Sequence, residues 1–162
     1  MSFTIKIGYG FDVHQLCETR QMWLGGILIP NAPKGTLGHS DADVLLHAIC
    51  DALLGALALG DIGTHFPDTS NEYKGIDSKL LLARCVQLIH EKGYAVGNVD
   101  STLILEQPKI MPYVPAMQST LAELLKVTVD CVSIKATTSE KMGYVGRNEG
   151  VCAHATALLY KI

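Results

Sequence analysis

Hydrophobic and polar positions change period several times along the chain. Apolar side chains at Phe3, Ile5 and Ile7 recur every second residue, so residues 3–13 predict a β-strand. MWLGGILI, 22–29, sets two short apolar runs about Gly25-Gly26 and predicts a hairpin. From there the period lengthens. Leu46, Ile49, Leu53 and Leu57 recur every three or four residues, which predicts a helix over 41–58 with Ser40 as its cap. GDIGTHFPDTSNEYKGID, 60–77, is polar and rich in turn formers, and it predicts a long loop; such loops in compact domains are usually functional or mobile. Leu81, Leu82, Cys85, Leu88 and Ile89 line one side of a second helix, Ser78 to Lys92, with Gly93 as its stop. Val99 to Leu105 predicts a strand. Pro112 and Pro115 open a third helix that runs to about Lys126. Val132 to Ala136 is a further strand, and the small-residue run Val151 to Tyr160 closes the chain as extended structure. No segment repeats with a period of 20–50 residues. The order of elements predicts an α+β fold, a single domain over residues 1–162 with one mixed sheet packed on helices.

Composition narrows the picture. The 162 residues suffice for a hydrophobic core without metal or disulfide staples. Charged residues make up 18% of the chain against roughly 25% in average globular proteins, which predicts surface hidden in an oligomer. A net charge of −3 with no basic stripe argues against nucleic acid as a partner. Cys17, Cys50, Cys85, Cys131 and Cys152 are odd in number, widely spaced and form no C-x-x-C, so they read as buried thiols in a reducing compartment. No basic, then apolar, leader opens the chain, and the longest apolar stretch, AICDALLGALALG, is interrupted by Asp51 and too short for a bilayer. A soluble cytoplasmic protein with no membrane contact is the expectation.

Three polar features call for chemistry. In GFDVH, Asp12 and His14 lie two apart on one face of a strand end, where they can share an ordinary hydrogen bond or converge on an ion. In GHSDADVLLHAICD, Asp43, His47 and Asp51 stack along one helix face, and His39 and His47 bracket the helix start. Asp12, His14 and either histidine would make a three-ligand N/O site suited to zinc, with the open fourth position of catalytic sites. Asp43 or Asp51, one turn either side of His47, would then orient its other ring nitrogen. KATTSEKMGYVGRNEG, Lys135 to Gly150, gathers hydroxyls, free backbone N–H groups and cations in a glycine-rich loop; it suits phosphate and equally a polar surface hairpin. Lys109, just before a helix start, is a further anion contact. No G-x-S-x-G and no cysteine with a neighbouring base point to a nucleophilic triad.

Taken together, GFDVH, LGHSDADVLLHAICDALLGALALGDIG, FPDT, GNVDSTLI, PKI and KATTSEKMGYVGRNEG resemble the 2-C-methyl-D-erythritol 2,4-cyclodiphosphate synthase family, in its order and spacing over essentially the whole chain. The resemblance implies that Asp12, His14 and His47 are zinc ligands and that His39 and Thr138 serve catalysis. It implies that His39 and Ser40 belong to a substrate-contacting turn. Asp61 and Gly63 would hold the methylerythritol part, with Phe66 and Asp68 over it, and Lys109 would line the cytidine pocket. Thr137, Thr138 and Glu140 would come from a neighbouring subunit, Glu140 serving a second ion, Mg2+ or Mn2+; Tyr144 and Arg147 complete the implied substrate contacts. The implied reaction is attack of the 2-phosphate of 4-diphosphocytidyl-2-C-methyl-D-erythritol 2-phosphate on its own β-phosphate, releasing CMP, in non-mevalonate isoprenoid synthesis. The implied assembly is a homotrimer, each mixed sheet covered by helices on one face and turned towards the three-fold axis on the other. Arg147 and Glu149 match positions lining a central cavity that holds an isoprenoid diphosphate in relatives.

The chain departs from the family pattern at Leu105, where a small residue is common, at Glu106 in place of Gln, and at Asn148 within a usual G-R-G-E-G. Two alternatives stand beside the synthase reading. A zinc phosphohydrolase would let water attack and give a linear phosphate. A trimeric protein that senses isoprenoid diphosphates through Arg147 would need no ligand set at Asp12, His14 and His47.

Overall fold

The computed structural model describes residues 4–162, so Phe3 lies outside the described residues. Along the chain run strands β1 (Ile5–Cys17), β2 (Trp23–Leu24), β3 (Ile27–Leu28) and β4 (Gly35–Leu37), then helices α1 (Val44–Ala56), α2 (Ile62–His65) and α3 (Ser78–Glu91). Strand β5 (Tyr94–Ile104), helix α4 (Val114–Leu125), strand β6 (Val132–Thr137), the single turn α5 (Gly143–Gly146) and strand β7 (Gly150–Lys161) complete it. Five strands form one mixed sheet in the order β4-β1-β7-β5-β6, in which only β5 and β6 are parallel. The α+β expectation holds.

Helices α1, α3 and α4 cover one face of this sheet, with α1 on β1 and β7, α3 on β5, and α4 on β6. The helical face of β1 is built from Gly8, Gly10, Asp12, His14 and Leu16, so the predicted strand has its apolar side reversed from the core. Ile5, Ile7, Tyr9, Phe11 and Val13 are all exposed on the opposite face. Close packing explains this. A Cβ at Gly8 would stand 1.8 Å from the Ala52 carbonyl oxygen, and one at Gly10 1.9 Å from that of Ala48. On β7, Ala153, Ala155 and Ala157 are likewise buried and small, and α1 seats so deeply that Leu45, Leu46, Ile49 and Leu53 lose all contact with water. By the usual scale each fully buried side chain of this kind contributes about 1.5–3 kcal/mol.

The hairpin occurs as expected, with Trp23 paired to Leu28 and Leu24 to Ile27, and Gly25 and Gly26 both at positive φ (60 and 79) as its two-residue turn requires. The helix start differs from expectation. Asp43, not Ser40, caps α1, because its carboxylate accepts from the N–H groups of Leu45 and Leu46 and, from the hairpin, those of Gly25 and Gly26. One buried carboxylate thus fastens the turn to the helix; burial pushes its acid up, against the pull of these donors. Residues 60–77 are not wholly irregular, since they contain α2 and a 3-10 turn at Asn71–Tyr73. Strand β5 starts five residues before Val99 and passes through a bulge between Val96 and Asn98. Pro112 sits in a separate 3-10 turn, Met111–Tyr113, and only Pro115 lies within α4.

Candidate active site

Strand β1 does not end at GFDVH; it continues to Cys17, and Asp12 and His14 project from its middle towards the first turn of α1. There they meet His47. Asp12 Oδ2, His14 Nε2 and His47 Nδ1 form a triangle with sides of 3.1 Å. Donors about 2.0–2.1 Å from one ion at tetrahedral angles lie about 3.3–3.4 Å apart, so the triangle has the size of three corners of a zinc site. Among the described residues these three alone form a cluster of metal-ligating side chains. Their chemistry fits as well: one carboxylate and two imidazoles facing each other at contact distance are poor neighbours unless a cation or protons lie between them. Burial on its own would raise the Asp12 acid, but its bonds to His14 and His47 outweigh that and hold it far below the usual carboxylate range. Burial would lower the His47 imidazole, and the same carboxylate raises it instead. A divalent ion entering here would take the place of those protons.

His47, not His39, completes the triangle. His39 stands at the rim, where its Nε2 lies 3.2 Å from the Ser70 carbonyl and its own carbonyl accepts from Gly75 N–H at 2.7 Å. Neither Asp43 nor Asp51 reaches the far nitrogen of His47. Asp43 is committed to the hairpin and helix amides, and Asp51 accepts from Ile62 N–H at 2.7 Å. The far nitrogen, Nε2, meets the hydroxyls of Ser78 at 2.9 Å and Ser40 at 3.2 Å, and Ser78 in turn bonds Asp41. Ser78 and Asp41 escaped the sequence reading because a serine opening a helix reads as an ordinary terminus; only the packing of α3 against α1 brings it to His47.

Beside the triangle opens a cavity of about 540 Å³ whose lining includes His14, His39, Ser40, His47, Gly63, Phe66 and Asp68. Its roof comes from 60–77, where Phe66 stacks edge-on against Tyr73 at 5.5 Å. Asp61 is not among the lining residues; it caps α2 by accepting from the Thr64 N–H and hydroxyl, each at 2.8 Å, and so places Gly63 in the wall. A second cavity, about 270 Å³, lies at the far edge of the sheet and is lined by Leu105, Glu106, Lys109, Thr137 and Thr138 among others. Glu140 stands next to it, its carboxylate accepting from the Thr138 hydroxyl at 3.3 Å. Asp12 pairs across to Ala153, Ala153 to Leu103, and Leu103 to Ala136, so the two cavities open at the same end of the sheet. They are separated by three strand spacings, about 14 Å. A single chain keeps the two halves of the expected site apart.

A profile of the YgbB family matches residues 5–160. The chain belongs to the YgbB family. A protein of this kind from Bacteroides fragilis, named 2-C-methyl-D-erythritol 2,4-cyclodiphosphate synthase, is 58% identical over 158 residues, or 98% of this chain and 99% of that protein. Among solved structures, the bifunctional IspDF from Campylobacter jejuni superposes with a TM-score of 0.95 at 39% identity; the match covers 99% of this chain and 43% of that longer one. The CDP complex of IspF from Plasmodium falciparum gives a TM-score of 0.84 at 34% identity, covering 97% of this chain and 96% of that one. The remaining expected residues of this YgbB member lie near the start of β7. Tyr144 packs against Gly150, and Arg147 grips Glu149 through two bonds of 2.9 Å.

Proposed function

We infer that this chain catalyses formation of 2-C-methyl-D-erythritol 2,4-cyclodiphosphate, the reaction for which its curated relatives are named. The observation that carries the mechanism is the 3.1 Å triangle of Asp12, His14 and His47 opening into the larger cavity. These residues would hold a zinc ion with one position left open, and a bound ion of this type supplies Lewis-acid polarisation of a phosphoryl oxygen. Everything else falls to the chain. The substrate is 4-diphosphocytidyl-2-C-methyl-D-erythritol 2-phosphate, whose own 2-phosphate is the nucleophile, anionic at neutral pH, so no strong base is needed. The protein must hold two phosphates together, in line with the departing CMP, and alignment within one bound molecule contributes up to about 7–11 kcal/mol.

Gly63, Phe66 and Asp68 enclose the sugar phosphate and exclude water, which would otherwise give a linear product. Asp61 acts from the cap of α2. His39 and Ser40 line the mouth, where the His39 ring can donate to a phosphoryl oxygen as charge develops. Lys109, Thr137 and Thr138 would form the cytidine-diphosphate subsite; that a Plasmodium falciparum relative is a CDP complex supports a place for this nucleotide in the fold. Glu140 offers a single carboxylate beside it, which suits a Mg2+ or Mn2+ completed by substrate phosphates. The separation of about 14 Å between these halves on one chain supports a subsite supplied by a neighbour. We assign a homotrimer packed through the exposed apolar face of β1, working in the cytoplasm. Arg147 and Glu149 would then line the axis; an isoprenoid diphosphate there would have to draw Arg147 out of its present pairing.

His47→Ala tests the reading. We expect loss of zinc and of CMP release with the assembly retained. Full activity in a metal-depleted His47→Ala sample, or a linear phosphate as the product in phosphorus NMR of the unaltered enzyme, would overturn it.

A further inference from the structure

We propose that Asp41 and Ser78 are positioning residues that fix the tautomer of His47, so that its Nδ1 lone pair faces the metal site; the inference rests on the metal reading of that triangle. Counting protons leads to it. The Asp41 carboxylate offers only lone pairs. Its Oδ2 accepts from Ser78 N–H at 3.0 Å, and its Oδ1 accepts from Asp43 N–H at 3.2 Å and from the Ser78 hydroxyl at 2.5 Å. That last bond uses the one hydrogen Ser78 Oγ possesses. Towards His47 Nε2, 2.9 Å away, Ser78 can therefore only accept. Nε2 must carry the hydrogen.

Ser40 agrees with this arrangement. Its Oγ already accepts from Ala42 N–H at 3.0 Å and lies 3.2 Å from His47 Nε2 and 3.4 Å from Ser78 Oγ. A hydrogen donated by Ser40 to Nε2 would leave that nitrogen facing the Ser78 lone pairs with nothing between them, so the Ser40 hydrogen turns to Ser78 instead. Three backbone and side-chain donors hold Asp41, and Ser78 is fully buried, so the chain Asp41–Ser78–His47 cannot easily reorganise.

The opposite tautomer would place an N–H where the ion must sit. Asp12, 3.1 Å from Nδ1, favours that wrong form whenever the ion is absent. Asp41 and Ser78 counter it from the other side of the ring. The relay also joins the metal to the cavity roof, since Asp41 N–H donates to the Ile76 carbonyl at 3.0 Å.

The test compares Zn2+ affinity, by chelator competition, in the full-length enzyme and in Ser78→Ala, Asp41→Ala and His47→Ala. Removing a partner of this kind typically costs 10–100-fold in metal affinity, and that loss is expected for both Ser78→Ala and Asp41→Ala. Asp41→Ala is informative because it leaves the serine in place but frees its hydrogen to point at Nε2. The second readout needs no variant: in the Zn2+-loaded enzyme, the His47 Nε2–H should appear in the NMR spectrum as a hydrogen-bonded, slowly exchanging proton. Wild-type affinity in folded Ser78→Ala and Asp41→Ala, or a freely exchanging Nε2–H in the unaltered enzyme, overturns the proposal. Were His47→Ala also to bind Zn2+ like the wild type, the metal reading itself would fall; if His47→Ala alone loses it, only the positioning role does.

Discussion

Glu106 shows how one atom changes a loop. Its carboxylate accepts from Ser139 N–H at 3.0 Å, the Ser139 hydroxyl at 3.2 Å and Lys141 N–H at 3.3 Å, all in the segment that carries Thr138 and Glu140. The Ser139 N–H is the main reason its acid lies below the ordinary value of 4.5. A lowered folded value means that the loop's attachment is complete above pH 4.5 and is lost as pH falls through the lowered value. We expect the Ser139 and Lys141 amides to shift, and to lose protection relative to their intrinsic exchange rates, below about pH 4.5, and Glu106→Gln to lose that dependence. Identical pH profiles in the two proteins would show that another group governs the loop. Asn148 is a second such residue. Its φ of 56 lies in the left-handed region, which explains how asparagine can replace a family glycine there at little strain.

Among elements, the junction of the hairpin with α1 depends most on a single side chain. Asp43 is wholly buried and satisfies four amides, two on the β2–β3 turn and two in the first turn of α1. Asp43→Ala removes a cap and leaves the two glycine amides buried without acceptors, a loss of about 2–4 kcal/mol. Urea unfolding at fixed protein concentration measures it; a change below about 0.5 kcal/mol would mean that water takes over as acceptor. The same junction places His47 one turn into α1, so a misplaced hairpin would be felt at the metal triangle.

For the whole molecule, the outer face of β1 is the main unresolved surface of a single chain. Ile7 and Tyr9 are 68% and 61% exposed, and Ile5, Phe11 and Val13 continue the same row. Next to them the Tyr9 hydroxyl bonds His154 Nδ1 at 2.8 Å. An apolar row of this length marks an interaction surface. If the proposed trimer packs through this face, Ile7→Glu should give single chains by sedimentation velocity and reduce CMP release to background while Zn2+ binding persists, because the triangle lies within one chain. An assembled, active Ile7→Glu enzyme would remove the inter-subunit reading of the site.

How much of this was legible beforehand divides along a physical line. Periodicity, caps and turn residues act over a few positions, so the hairpin, α1, α3, α4 and the four long sheet strands could be read from local pattern, whereas the three-residue edge strand β4 is too short to show a period. The pairing of Asp12 with His14 could be read too, because two positions along a strand share a face whatever surrounds them. Long-range packing decided the rest. Which histidine closes the triangle, and that Ser78 and Asp41 stand behind it, depends on α1 and α3 meeting across a loop. The direction of the apolar side of β1 was concealed because alternation shows that two faces differ, not which one meets a helix. Gly8 and Gly10 hold that answer: only a face without side chains admits α1 at contact with the strand, so the row from Ile5 to Val13 is left outward.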